Sequence, residues 1–117
     1  MMTDAKINAG INANERIDDL CRDNLRLIQN TDVFCFGMDA VLLSTFAKAG
    51  KNHKVLDMGT GNGVIPILMQ AKNPGSMYTG LEIQDISYDL AVRNVELNSL
   101  SDKVNIVKGD IKEASHI

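Results

Sequence analysis

Seven consecutive residues, Asp57-Met58-Gly59-Thr60-Gly61-Asn62-Gly63, place glycine at alternate positions behind an acid and directly before the apolar run Val64-Ile65-Pro66-Ile67-Leu68-Met69. Glycine there permits positive φ and lets the backbone come close to a ligand, and a helix that starts at such a loop offers unpaired N–H groups. Two further acids stand just after apolar runs of their own, Glu82 after Met77-Tyr78-Thr79-Gly80-Leu81 and Asp110 after Val104-Asn105-Ile106-Val107-Lys108-Gly109. Glu82 lies 19 residues beyond Gly63, a distance that suits a carboxylate accepting both hydroxyls of a ribose. Each has a plainer reading: a tight turn for the glycines, a solvated charge for Glu82, a turn cap for Asp110. Their recurrence at three successive strand ends favours one shared pocket. No metal site is expected. Cys21 and Cys35 match no metal spacing and read as free, partly buried thiols, and His53 and His116 stand alone.

The elements that would position these residues follow from pattern. From Lys54 onward short apolar strands alternate with helices: Val55–Met58 as a buried strand, Val64–Lys72 as a helix that tolerates Pro66 in its first turn, and Met77–Ile83 as a second strand. Ile86–Leu100 is a second helix, with Leu90, Ala91 and Val95 on an arc shared with Ser87, Asn94 and Asn98. Asn98-Ser99-Leu100 reads as a left-handed stop, and Val104–Val107 as a third strand. Strands separated by such helices imply an α/β, Rossmann-like, doubly wound parallel sheet, here ending after its third strand. Ligands of such sheets gather at the carboxyl ends of the strands.

Ahead of that unit, residues 1–14 read as a polar, flexible arm and residues 15–50 as a hairpin-plus-helix prefix; residues 51–117 form the first part of the nucleoside-binding domain. The hairpin is expected from Leu25-Arg26-Leu27-Ile28-Gln29 and Val33-Phe34-Cys35-Phe36 around the turn-like Gln29-Asn30-Thr31-Asp32. The helix is expected from Ala40 to Gly50, capped by Asp39.

The whole chain has 117 residues, 12 Lys+Arg against 15 Asp+Glu, 44% hydrophobic residues and no Trp. One modest core is all this length encloses, and the composition excludes a disordered chain. No apolar run approaches the roughly 18 residues a membrane helix needs, and the start carries no basic-then-apolar signal. A soluble, cytoplasmic protein without membrane partners is the expectation. A net charge of -3 excludes nucleic-acid binding by overall charge, though not by a local patch.

A dinucleotide dehydrogenase would carry G-x-G-x-x-G and keep its helix N-terminus for a pyrophosphate. Here the loop is G-x-G-x-G with Asp57 two residues ahead, an acid that repels a pyrophosphate and attracts an ammonium group. The ligand should be a nucleoside with a cationic tail. S-adenosylmethionine is such a molecule, and Val55-Leu56-Asp57-Met58-Gly59-Thr60-Gly61-Asn62-Gly63-Val64-Ile65-Pro66-Ile67 resembles the first motif of class I S-adenosylmethionine-dependent methyltransferases. More narrowly, Glu15-Arg16-Ile17-Asp18-Asp19-Leu20, the Leu25–Gln29 strand and Phe36-Gly37-Met38-Asp39-Ala40-Val41-Leu42-Leu43 resemble the prefix of bacterial tRNA (valine) adenine-N(6)-methyltransferases.

The resemblance implies cofactor contacts at Asp57, Gly59, Thr60, Gly61, Asn62 and Gly63, at Glu82 and Ile83 for the ribose and its surroundings, and at Asp110 and the Ile111 N–H for adenine. It places Phe36, Gly37 and Asp39 over the methionine end. It also implies a methyl acceptor on the exocyclic amine of an adenine in tRNA, with no metal. The Asn-Pro-Pro-aromatic tetrapeptide with which such enzymes hold that amine is absent between Met1 and Ile117, so catalytic residues stay unassigned. The chain is expected to be the cofactor-binding half of such an enzyme, meeting RNA through a missing C-terminal part and prone to self-associate at its open sheet edge. A non-catalytic S-adenosylmethionine-binding module and, less favoured, an NAD-dependent oxidoreductase are the alternatives.

Overall fold

Lys54–Met58 (β3), Met77–Glu82 (β4) and Val104–Lys108 (β5) form one parallel sheet in the order β3-β4-β5. The computed structural model describes residues 10–20, 24–32, 50, 52–72, 76–110 and 112. Helix α1 (Val64–Lys72) joins β3 to β4, and α2 (Asp85–Leu97) joins β4 to β5. The expected α/β order is therefore present, each boundary within a few residues. In register Val55, Tyr78 and Val104 lie side by side, and with period 2 they share a face with Ile106. That face packs with Val64, Ile67, Leu68 and Met69 of α1 and Val95 of α2 into the main core. The Tyr78 hydroxyl donates to the Met69 carbonyl at 3.2 Å, so the ring is buried without an unpaired polar tip.

The opposite face differs from the buried strand expected at Val55–Met58. Leu56, Met58 and Met77 are 40%, 54% and 51% exposed, because among the described residues both helices pack on the other side. Helix α2 ends as expected: Ser99 takes φ 57°, and the Leu100 N–H returns to the Val95 carbonyl at 3.0 Å.

Glu15–Asp19 (β1) and Arg26–Asn30 (β2) form a separate antiparallel pair, with Ile17 opposite Ile28. This corrects the expected hairpin. The Leu25–Gln29 strand is present, but its partner is the segment before it, turned by Asn24 at φ 59° and closed by the Leu20 N–H on the Leu25 carbonyl at 2.9 Å. Gln29 and Asn30 are strand rather than turn, and Asn30 Oδ1 accepts the Asp32 N–H at 2.8 Å. The expected Val33–Phe36 strand, the helix over 40–49, Cys21, Cys35, His116 and the Asn73-Pro74-Gly75 turn lie outside the described residues. Gly10–Asn14, expected as arm, is fastened instead: Ile11 is buried with Ile28 and Leu90, and the Asn12 N–H donates to Glu15 Oε1 at 2.8 Å.

Candidate cofactor-binding site

Parallel pairing brings the carboxyl ends of the three strands together, with Met58 beside Leu81 and Leu81 beside Val107. The β3–α1 loop bends back over that edge through glycines at positive φ, 73° at Gly59, 58° at Gly61 and 82° at Gly63. A side chain at these positions would be strained, which is the physical reason for the alternate spacing. The Gly59 and Thr60 N–H groups both donate to the Leu81 carbonyl, at 2.8 and 2.9 Å, so the loop is pinned to the end of β4.

Glu82 closes the arrangement. It is buried, its Oε1 accepts the Gly61 N–H at 2.9 Å, and its Oε2 accepts the Gln84 N–H at 3.0 Å. The Glu82 carbonyl accepts the Gly109 N–H at 3.1 Å, which joins the end of β5 to the same point. A carboxylate has about four lone-pair sites. One bond on each oxygen leaves each able to accept a hydroxyl.

Asp57 lies on the core-facing side of β3, with its Oδ2 buried and making no hydrogen bond of normal geometry. Burial pushes its carboxyl above the ordinary carboxylate range, the neighbouring Thr60 hydroxyl pulls the other way, and the charge of Glu82 adds to the rise. Thr60 Oγ1 is likewise buried, with no hydrogen bond of normal geometry among the described residues. Two carboxylates and the exposed backbone of a glycine turn make a poor site for a pyrophosphate, and suit a ligand with paired hydroxyls and a positive charge.

The other expected residues divide. Asn62 is buried, and its Oδ1 accepts the Val64 N–H at 3.3 Å at the start of α1. Ile83 is 58% exposed beside Glu82. Asp110 is half-buried, and its Oδ1 accepts the Lys112 N–H at 3.0 Å, the turn cap of the plainer reading. Phe36, Gly37, Asp39 and Ile111 lie outside the described residues. No group of three or more His, Cys, Asp or Glu that could hold a metal occurs among the described residues, and none of their helices is long and apolar enough to cross a membrane.

The family model for the methyltransferase small domain matches residues 24–116. The chain belongs to that family. A tRNA1(Val) (adenine(37)-N6)-methyltransferase of Flavobacteriaceae bacterium strain 3519-10 is 32% identical over 66 residues, which is 56% of this chain and 29% of that protein. One of the same name from Porphyromonas gingivalis is 32% identical over 83 residues, 68% of this chain and 32% of that protein. The chain thus spans about a third of the length of the curated relatives it matches. Among solved structures it shares its fold with Pyrococcus horikoshii TYW2 in complex with MeSAdo, at TM-score 0.70 and 15% identity over 88% of this chain and 39% of that one. It is also similar to the METTL16 MTase domain, at TM-score 0.62 and 25% identity over 75% of this chain and 38% of that one.

Within this methyltransferase small domain, Gly80 is a residue the sequence reading passed over. A Cβ there would stand 2.8 Å from both Cγ2 and Oγ1 of Thr60, so only glycine lets the Thr60 side chain lie across β4. A glycine inside a strand pattern is the signal that could have found it. Asn94 was placed on the buried arc of α2, but its partners, 66 and 32 residues earlier in the chain, were not foreseen.

Proposed function

We propose that the chain forms the cofactor-binding part of an S-adenosylmethionine-dependent methyltransferase that modifies the exocyclic amine of an adenine in tRNA, in the cytoplasm. The observation that carries the reading is Glu82, buried at the end of β4, bonded to the glycine loop through one oxygen and still able to accept on both. In this reading Glu82 takes the two ribose hydroxyls, Ile83 covers one face of the adenine, and Asp110 with the Ile111 N–H meets its edge. The loop from Gly59 to Gly63 lies along the methionine portion, and the buried carboxylate of Asp57 meets its ammonium group. Phe36, Gly37 and Asp39 complete that end, as the family resemblance implies.

The bound cofactor would supply an electrophilic methyl carbon on a sulfonium, whose sulfur is a neutral leaving group. This chain's own residues orient and hold. Asp57 keeps a negative charge near a cationic ligand, and Glu82 sets the ribose at one depth. Holding the second reactant in attack geometry as well is what accounts for up to about 7 to 11 kcal/mol of such a barrier. The names of the tRNA1(Val) relatives support the adenine acceptor.

The test is transfer of labelled methyl from S-adenosylmethionine to unmodified tRNA, by this chain and by the longest reading frame that contains it. Label on an adenine of tRNA with the long form, and none with this chain alone, is the expected result, since its sequence holds no Asn-Pro-Pro-aromatic tetrapeptide to hold the acceptor amine. Label on protein or on a small molecule, with tRNA untouched, would overturn the substrate class.

A further inference from the structure

Helix α2 meets β2 through two asparagines that behave as a strand would. Asn94 Oδ1 accepts the Ile28 N–H at 2.6 Å, and its Nδ2 donates to the Ile28 carbonyl at 3.0 Å. Asn98 does the same for Arg26, accepting its N–H at 2.8 Å and donating to its carbonyl at 2.6 Å. A side-chain amide has the donor and acceptor of a peptide group. Four residues of helix rise about 6 Å and two residues of strand about 6.8 Å, so amides at i and i+4 on the helix meet backbone groups at j and j+2 on one strand edge. One edge of β2 pairs with β1, and these two amides occupy the other.

The two asparagines differ in their second N–H. Asn98 donates it to the Asn94 carbonyl of its own helix, at 2.8 Å. Asn94, fully buried, donates it at 2.9 Å to the carbonyl of Asn62 in the glycine loop. That bond fixes the peptide that leads into Gly63, which takes φ 82° beside Ala91.

We propose that Asn94 is a positioning residue for the cofactor site: it sets the glycine loop through the Asn62 carbonyl and ties that loop to β2. The inference rests on the methyltransferase reading for its ligand, and on geometry alone for its coupling. Order in the loop and order in β2 are then one event. A ligand that clamps the loop protects the Ile28 amide, although Ile28 lies on the hairpin. Asn98 holds the same strand without touching the loop, and is the natural control.

The experiment uses this chain, its Asn94→Ser and Asn98→Ala variants, and S-adenosylhomocysteine as probe, with calorimetry for affinity, amide exchange by NMR and melting for stability. Asn98→Ala is expected to speed exchange at Arg26 and to leave affinity within twofold of the parent. Asn94→Ser is expected to weaken affinity tenfold or more and to speed exchange at Gly63 and Val64, beyond anything its melting temperature explains. A folded Asn94→Ser that binds as the parent does, with unchanged loop exchange, would overturn the inference and leave the methyltransferase reading standing. If Asn94→Ser does not fold, the parent alone decides: saturating probe must slow exchange at Ile28, and an unchanged Ile28 overturns the coupling. If the parent does not bind the probe, that reading falls, and loop exchange in Asn94→Ser still judges the positioning role.

Discussion

The β1–β2 hairpin and the parallel sheet are held by different means, although both feed Leu25, Leu27 and Tyr78 into one core. The parallel sheet is a backbone ladder beneath two helices, and its acidic residues, Asp57 and Glu82, gather at one end, where Asp57 and Thr60 each keep a buried oxygen without a hydrogen bond of normal geometry among the described residues. The hairpin is tied down by polar side chains that reach across most of the chain. Glu15 accepts from both terminal nitrogens of Arg93, at 2.7 and 2.8 Å, and Asn94 and Asn98 grip β2. Polar groups are satisfied where the protein is attached to itself and left wanting where a ligand would enter. Buried, unpaired polar atoms are costly, so a site that carries them is stabilised by whatever fills it.

Removing Glu82 should separate the two regions most sharply. On the proposed reading Glu82→Ala deletes the acceptor of two hydroxyls, each bond to a charged group being worth about 1.5 to 3 kcal/mol. Affinity for S-adenosylhomocysteine should fall by more than it does in Asp110→Ala, while the hairpin away from Ile28 keeps its amide protection. Equal losses in the two variants would misplace the ribose.

Arg93→Met attacks the other region. Glu15 is buried, and the guanidinium holds its carboxyl below the ordinary range, chiefly through their hydrogen bonds. Stranding that carboxylate should cost about 2 to 3 kcal/mol, on the low side for a broken buried pair, because Arg93 keeps some contact with water. Denaturant titration reads the loss. A depressed carboxylate stabilises the fold above its ordinary value and loses that contribution as pH falls through the depressed one, so the parent should lose stability in acid more steeply than Arg93→Met. Parallel acid profiles would show that the pair does not hold the hairpin.

Gly80→Ala is smaller. Its methyl would meet the Thr60 side chain well inside contact distance, and overpacking of this kind costs about 1 to 3 kcal/mol. Because Thr60 must move, cofactor affinity should drop as well; Thr60→Ala in the same chain should restore stability.

The smallest effect has the opposite sign. Asp57 is raised mainly by burial, so its charged form costs stability in the fold. That cost begins as pH rises past the ordinary carboxylate value, where the unfolded chain ionises, and is complete once pH has passed the raised one. Asp57→Asn should therefore melt slightly higher at neutral pH, with a flatter profile through that window, and bind the cofactor more weakly. A variant that melts lower would mean that the Thr60 hydroxyl outweighs the burial of Asp57.

Which parts of this contrast could be read from sequence follows from the range of the forces. The parallel sheet was legible because each element is specified locally: alternating apolar runs, a Pro66 tolerated in the first turn of a helix, and glycines whose positive φ the loop requires. Asp57 and Glu82 followed from the rule that ligands meet strand ends. The hairpin was mispaired because Asn30-Thr31-Asp32 is a strong turn signal, whereas Glu15-Arg16-Ile17-Asp18-Asp19 has one apolar residue and owes its place to Arg93, 78 residues away. The contacts of Asn62 within the fold were missed for the same reason. That its side chain caps α1 while its carbonyl meets Asn94 is settled by packing, which no local window contains.

The claim that joins these observations is that the Glu82-anchored glycine loop takes a nucleoside with a cationic tail rather than a dinucleotide. Calorimetric titration of this chain with S-adenosylhomocysteine and, separately, with NAD tests it most directly. The account predicts saturable binding of S-adenosylhomocysteine, at least tenfold tighter than any binding of NAD. Equal or tighter binding of NAD would contradict it.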